Sequence, residues 1–163
     1  MTLRILLIQG PNMNYLGKRQ PEIYGRTTAA ELDAMCQAHA RDHGYQLDIF
    51  YTQSEPAAID RIYEADEQGV DGLLMNPAAF CVAGVAIANC IKAVPMPYVE
   101  IHVSNIDKRR VSSITAAEAV GVVHGFGVKG YIYALDALLG AIKEPASLPV
   151  YGADSVVNVP RGA

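Results

Sequence analysis

The chain has 163 residues, of which 51% are hydrophobic and 18% are charged, and its formal net charge is −4. This length and composition predict one globular domain with a buried core, and they exclude an intrinsically disordered chain. The sequence has no basic block, which argues against a protein that binds nucleic acid or acidic membrane surfaces.

The cysteines and the N-terminal residues indicate the cellular compartment of the protein. Its three cysteines, Cys36, Cys81 and Cys90, form no CxxC motif, which favours reduced thiols over a disulfide framework or a zinc site. The first apolar run is too short for a signal peptide, and no run is long enough to span a membrane. We therefore expect a cytoplasmic protein.

Short apolar or alternating runs predict strands, and longer segments with apolar residues at helical spacing predict helices. In chain order these segments are strand 3–9, helix 27–43, strand 45–52, helix 55–69, strand 70–76, helix 82–93, strand 96–103, strand 119–125 and helix 128–142. Thr27 or Thr28 is the predicted N-cap of the first helix, and Gly44 its predicted stop.

The alternation of strands and helices predicts an α/β fold in which helices cover both faces of a parallel sheet. Five strands in a chain of this length favour a flavodoxin-like three-layer sandwich over a barrel. We expect a single domain over residues 1–145 and a tail at 146–163. Ligands of such sheets bind beyond the carboxyl ends of the strands, where this chain carries GPNMN, NPAAF, EIHVSN and HGFG.

The segments at these strand ends argue against several chemistries. No GxGxxG follows the first strand and no GxxxxGK[ST] occurs, so a nucleotide-phosphate cradle is not expected. The glycines of GFGVKG at 125–130 are explained more simply by tight packing between strand and helix. No HExxH motif or Cys/His cluster indicates a metal site, and no nucleophile elbow supports a Ser-His-Asp enzyme. Acid–base chemistry remains.

His102 is one candidate for that chemistry. Glu100 precedes it by two positions on the same predicted strand, so the two side chains point to the same face. The carboxylate could then hold the imidazole and set its tautomer or charge. A structural histidine near a strand end is the alternative interpretation.

Tyr24 is the other candidate. A free phenol has a pKa of about 10 and is a poor base at neutral pH, but a nearby cation favours the phenolate. Arg19 lies five positions before Tyr24. A turn residue that packs its ring, beside a solvated arginine, fits the same spacing.

Four segments of the chain resemble, in order, the motifs of the type II 3-dehydroquinate dehydratases. They are ILLIQGPNMNYLGKRQPEIYG, NPAAF, PYVEIHVSNI and VGVVHGFGVKGYIYALDAL. The resemblance implies a flavodoxin-like hydro-lyase that commonly assembles as a dodecamer of trimers. It also implies an anti elimination of water from 3-dehydroquinate to 3-dehydroshikimate through an enolate, without metal, Schiff base or other cofactor. That reaction serves both the shikimate pathway and quinate catabolism.

The resemblance also implies roles in the elimination. Tyr24 corresponds to the base that removes the proton next to the ketone, and Arg19 to the cation that stabilises its phenolate. Asn12 corresponds to the residue that stabilises the enolate, through a bound water. His102 corresponds to the general acid that protonates the leaving hydroxyl, oriented by Glu100.

Substrate-binding roles follow from the same motifs. Asn76 is implied to bind ring hydroxyls, and Val103 and Ser104 to hold the substrate carboxylate. Arg110 is implied to anchor the substrate, and its neighbour Arg109 is the alternative because a gap in the resemblance falls just before the pair.

One segment departs from the family pattern. FCVAG at 80–84 stands where the family has Tyr-Thr-His-Thr-Ser, so that Val82 takes the place of a histidine that contacts substrate. Asn89 stands where an acidic residue often reaches a neighbouring subunit's active site. Three hypotheses follow: a 3-dehydroquinate dehydratase with a remodelled pocket, a lyase for a related cyclic hydroxy-ketone, or a binding paralogue without turnover.

Overall fold

A five-stranded parallel sheet forms the centre of the computed structural model, which describes residues 1–145. The strands, in chain order, are β1 (Arg4–Gln9), β2 (Gln46–Tyr51), β3 (Gly72–Asn76), β4 (Tyr98–His102) and β5 (Gly121–His124). They lie in the order β2-β1-β3-β4-β5, which confirms the predicted flavodoxin-like arrangement. The predicted tail at 146–163 lies outside the described residues.

Helices connect the strands. They are α1 (Pro21–Tyr24), α2 (Ala29–His43), α3 (Glu55–Glu67), α4 (Phe80–Ala83), α5 (Val85–Ala93) and α6 (Gly130–Lys143). Short 3-10 turns occur at Met13–Tyr15, Thr115–Glu118 and Gly127–Lys129. Within residues 1–145, every helix is too short or too polar to cross a membrane.

Different helices cover the two faces of the sheet. Ile5 and Leu7 of β1 belong to an apolar cluster with α2 and α6, whereas Leu6 and Ile8 belong to a second cluster with α3 and α5. Successive residues of a strand point to opposite faces. The continuous apolar run of β1 therefore fits a central strand that is buried on both sides.

Helix α2 begins where the sequence predicted, with Thr28 as its N-cap. The Thr28 hydroxyl accepts a hydrogen bond from the Glu31 N–H at 3.2 Å, and the Glu31 carboxylate accepts one from the Thr28 N–H at 2.8 Å. This reciprocal capping box satisfies two N–H groups that the first turn leaves without a helical partner. Gly44 ends the helix with a φ of 70°, a conformation that glycine adopts without strain.

The predicted single helix at 82–93 is wrong, because the segment divides at Gly84. A Cβ at this position would lie 2.7 Å from both the Phe80 carbonyl oxygen and the Ile87 side chain. The crowding accounts for a glycine at this position. Its ψ of 62° lies outside the helical range, so α4 ends before Gly84 and α5 begins after it. The Glu55 carboxylate caps the new N-terminus by accepting a hydrogen bond from the Ile87 N–H at 3.0 Å. The division leaves Val82 on a short helix beside the end of β3.

Candidate active site

A cavity of about 200 Å³ lies at the carboxyl ends of β1, β3 and β4. This is the edge of the sheet where the sequence predicted a ligand site. Side chains with polar or charged groups make up one part of its lining: Asn12, Arg19, Tyr24, Asn76, His102, Ser104 and Arg109. The predicted Val103 also lines it, whereas Arg110 and Asn89 lie outside this lining and are exposed.

Gly10 brings the ends of β1 and β3 together. Its N–H donates to the Asn76 carbonyl at 2.9 Å, and a Cβ in its place would lie only 2.5 Å from the Pro77 carbonyl oxygen. No larger residue fits so close to another backbone. The glycine of the GPN segment therefore lets Asn12 and Asn76 reach the same cavity.

The segment after Gly10 folds back on itself and carries Arg19 and Tyr24. Gly17 has a φ of 84°, and a Cβ there would lie 2.9 Å from the Arg26 carbonyl oxygen. The chain then enters α1, which ends at Tyr24. The Arg19 guanidinium carbon lies 5.7 Å from the centre of the Tyr24 ring. The proximity expected from their spacing is therefore present.

Arg109 is a second cation beside Tyr24. Its Nη1 donates hydrogen bonds to the Tyr24 hydroxyl at 3.2 Å and to the Ser104 hydroxyl at 2.9 Å. Its guanidinium carbon lies 5.6 Å from the ring centre. Positive charge beside a phenol stabilises negative charge on its oxygen. Of the two arginines left open by the sequence, Arg109 is the one at the cavity.

His102 is held by a buried carboxylate. Its Nε2 lies 2.6 Å from Glu100 Oε1, and Glu100 is fully buried. The other carboxylate oxygen accepts hydrogen bonds from the Tyr98 hydroxyl at 2.7 Å and the Thr115 hydroxyl at 2.6 Å. Sequence reasoning missed both hydroxyls, although Tyr98 lies two positions before Glu100 on the same face of β4.

The charge of Glu100 determines which nitrogen of His102 carries a proton. Burial acts to raise the pKa of Glu100, but hydrogen bonds from His102, Ser113, Thr115 and Tyr98 together hold it below its usual value. An ionised carboxylate can only accept hydrogen bonds. We therefore assign a proton to His102 Nε2, which leaves Nδ1 available to accept or donate a proton in the cavity.

A buried chain of hydrogen bonds orients Asn76. Its Nδ2 donates to the Tyr131 hydroxyl at 2.9 Å, and that hydroxyl donates to Gln9 Oε1 at 2.7 Å. The Ala78 N–H donates to Asn76 Oδ1 at 3.1 Å. These contacts leave one Nδ2 proton of Asn76 to donate to a ligand. Tyr131 comes from α6, far along the chain, and no local pattern pointed to it.

Replacing Tyr131 by Phe keeps the buried ring but removes the hydroxyl between Asn76 and Gln9. We expect the free energy of unfolding to fall by about 1–3 kcal/mol, because two buried amides lose a partner. KM should rise by about tenfold, or 1.4 kcal/mol of binding free energy, as Asn76 becomes free to rotate. Urea unfolding and steady-state kinetics measure both. Tyr133→Phe, at a half-exposed position of the same helix, is the control; a normal KM in Tyr131→Phe would contradict this role.

The rest of the cavity lining is largely apolar and includes Cys81, Val82, Ile106 and Val111. Val82, at the departure from the family pattern, is 58% exposed. Burial and the negative Glu100 raise the pKa of the Cys81 thiol, against the opposite effect of Arg109. The thiol therefore stays protonated. These side chains can contact a ligand through apolar surface but give it no charged partner.

Comparison with known proteins shows the family to which this chain is similar. The family model "Dehydroquinase class II" matches residues 3–139. Catabolic 3-dehydroquinase 1 of Aspergillus fumigatus is 44% identical over 147 residues, covering 88% of this chain and 97% of that protein. The 3-dehydroquinate dehydratase of Actinobacillus pleuropneumoniae is 41% identical over 144 residues, covering 86% and 93%.

Solved structures show the same relationship. The crystal structure of a type II dehydroquinase from Butyrivibrio crossotus superposes with a TM-score of 0.82 at 34% identity, covering 85% of this chain and 98% of that chain. The sequence match and the shared fold both extend over nearly the full length of these relatives. This chain therefore belongs to the class II dehydroquinase family.

Proposed function

We propose that the protein is a 3-dehydroquinate dehydratase that works through an enolate and needs no metal or other cofactor. One observation carries the proposal: a phenol beside two guanidinium groups and an imidazole backed by a buried carboxylate line the same cavity. Together they supply the base and the acid that an elimination of water needs. Relatives over 40% identical bear the name of this activity.

In the first step, the Tyr24 oxygen, as phenolate, takes the proton from the carbon next to the substrate ketone. The electrons of the broken C–H bond form the enolate C=C bond, and negative charge moves to the former ketone oxygen. Asn12 stabilises that oxygen through a bound water, because a developing oxyanion needs donors already in place. Arg19 and Arg109 stabilise the phenolate before the proton is transferred.

In the second step, the enolate returns its electrons. The ketone re-forms, a new C=C bond forms in the ring, and the C–O bond to the leaving hydroxyl breaks. Protonated His102 gives its Nδ1 proton to that hydroxyl, which leaves as water. Glu100 stabilises the charged imidazole before the transfer. Transfer of the proton from Tyr24 back to His102, through solvent, completes the cycle.

The remaining polar residues hold the substrate. Ser104 and the backbone of Val103 bind the substrate carboxylate, and Asn76 donates its free Nδ2 proton to a ring oxygen. Arg109 attracts the same carboxylate, which suits the planar donor fork of arginine. We therefore assign the anchoring role to Arg109 in place of Arg110.

A direct assay tests the proposal. Purified protein mixed with 3-dehydroquinate should produce the conjugated enone absorbance of 3-dehydroshikimate. No product at an enzyme concentration equal to that of the substrate would overturn the proposal. Thermal stabilisation by 3-dehydroquinate without product would instead identify a binding protein. A new enone formed only from related hydroxy-ketones would identify a different lyase.

Adjacent arginines provide a matched pair for the anchoring role. Arg109→Lys should lower kcat/KM by about 10–100-fold, because lysine lacks the planar donor fork with which arginine pairs with a carboxylate. Arg110→Lys removes the same kind of group one residue away and should stay within about twofold of wild type. Steady-state kinetics of both variants show which arginine anchors the substrate. A larger loss of kcat/KM in Arg110→Lys than in Arg109→Lys would restore Arg110 as the anchor, as the family motif implies.

We also propose that the protein acts in the cytoplasm as a trimer-based homo-oligomer, a dodecamer by family resemblance. Exposed apolar side chains on α4, on α5, on β5 and just before β5 support an assembly: Val82, Val85, Val122 and Val120. Asn89 is exposed on α5, where it can reach a neighbouring subunit. Light scattering should give twelve times the 17.5 kDa chain mass; a monomer at assay concentration would contradict the proposal.

A further inference from the structure

We propose that His39, His43 and Asp136 form a binding site for a divalent transition-metal cation, such as Zn²⁺, that joins α2 to α6. One ring nitrogen of each histidine and one carboxylate oxygen of Asp136 all lie within 4.8 Å of one another. None of these residues lines the catalytic cavity. The proposal is therefore independent of the proposed function.

The fold brings the three side chains together. His39 and His43 are four positions apart on α2, so they lie on the same side of the helix, and their ring centres are 3.9 Å apart. Asp136 comes from α6, which packs on the same face of the sheet as α2. A shared cation would thus link two helices that already meet through apolar contacts and the His39–Asp136 pair.

The distance between His39 and Asp136 suits two ligands of one ion. His39 Nε2 and Asp136 Oδ1 are 3.0 Å apart. Two donor atoms that each lie about 2.1 Å from a tetrahedral zinc ion are separated by about 3.4 Å, so this pair has to open by only about 0.4 Å. A cation can therefore bind both atoms with little movement of either. His43 supplies the third donor atom from the next turn of α2.

The second nitrogen of each histidine already has a partner. His39 Nδ1 lies 2.9 Å from the Tyr45 hydroxyl, and His43 Nδ1 lies 2.9 Å from the His39 carbonyl oxygen. Metal-binding histidines are usually held in this way through the nitrogen that does not bind the metal. A carbonyl can only accept, so His43 Nδ1 carries the proton and Nε2 has a free lone pair.

Tyr45 allows His39 to exchange a hydrogen bond for a metal bond. A hydroxyl can both donate and accept. Without metal it donates to Nδ1 while Nε2–H donates to Asp136; with metal it accepts from Nδ1–H while Nε2 binds the ion.

The donor set indicates the class of cation. Two imidazoles and one carboxylate suit Zn²⁺, Cu²⁺, Ni²⁺ or Co²⁺, whereas Mg²⁺ and Ca²⁺ prefer oxygen ligands throughout. The alternative to a metal site is that His39 and Asp136 form only a salt bridge with each other. It predicts no response to added zinc.

Calorimetric titration with zinc chloride tests the site in the full-length protein after treatment with chelator. We expect one Zn²⁺ per chain and a rise in Tm on binding. His43→Ala and Asp136→Asn should each weaken binding by at least about tenfold. Both positions are exposed, so both variants should fold, and both should dehydrate substrate at the wild-type rate.

Two control variants locate the zinc. His124→Ala removes another histidine that faces an aspartate, Asp107 at 3.4 Å, and should bind zinc normally. His102→Ala removes the histidine of the cavity and should also bind zinc normally. Absence of binding at millimolar zinc, normal binding in His43→Ala and Asp136→Asn, or loss of binding in His102→Ala would each overturn the proposal.

Discussion

Tyr24→Phe is expected to lower kcat for dehydration by about 10³-fold, within the range for loss of a general base or acid. Phenylalanine keeps the ring between Arg19 and Arg109 but has no oxygen to take the proton. Within residues 1–145, the hydroxyl takes part in a single hydrogen bond, which it accepts from exposed Arg109. We therefore expect Tm and the affinity for a substrate-like ligand to change little.

Kinetics at saturating substrate, thermal unfolding and ligand titration together separate a lost base from a damaged fold. Tyr15→Phe is the matched control, because Tyr15 lies in the same loop, is 59% exposed and does not line the cavity. It should retain full activity. If Tyr24→Phe kept a tenth or more of wild-type kcat, another group would be the base and the proposed mechanism would be wrong.

Glu100→Gln is expected to damage both catalysis and stability. The carboxylate accepts hydrogen bonds from His102, Tyr98 and Thr115, whereas an amide has one oxygen and places an NH₂ group against at least one of these donors. We expect the free energy of unfolding to fall by about 1–3 kcal/mol for the mispaired buried groups. We expect kcat to fall by about 10²-fold, because the charged imidazole loses its counter-ion.

The pH dependence of stability gives this variant a signature that a general packing defect does not share. The folded-state pKa of Glu100 is lowered, while an unfolded glutamate titrates at about 4.3. The stabilisation is therefore complete above about pH 4.3 and is lost as the pH falls through the lower folded-state value. The stability difference between wild type and Glu100→Gln should narrow over that acidic range.

Urea unfolding at a series of pH values measures this difference. Glu67→Gln is the control for loss of a carboxylate, because Glu67 is exposed at the end of α3. It should match wild type in kcat and in its pH profile. A stability difference for Glu100→Gln that stays constant down to acidic pH would show that the carboxylate charge is not what stabilises the site.

The sheet follows from local sequence signals. Buried apolar runs alternate with helical segments, and the predicted strands and helices each appear within two residues of their predicted bounds, apart from the helix that divides at Gly84. Thr28 and Gly44 mark the ends of α2 because caps depend on residues next to each other in the chain. The division at Gly84 depends on Glu55 and Ile87, which no local pattern relates.

The sequence by itself determined the parallel α/β sheet through its alternation of strands and helices. It also determined the pairing of Glu100 with His102, through the two-residue period of a strand. It also placed Arg19 near Tyr24. Only the tertiary structure decided that Arg109, not Arg110, faces the cavity, because a turn with a φ of 56° at Arg110 separates their directions. Only the tertiary structure also showed that the Tyr131 hydroxyl accepts a hydrogen bond from Asn76. The contact between Asn76 and Tyr131 joins segments far apart in the chain, which local sequence patterns do not relate. The direction of a side chain in a turn depends on backbone angles, which the sequence pattern does not predict.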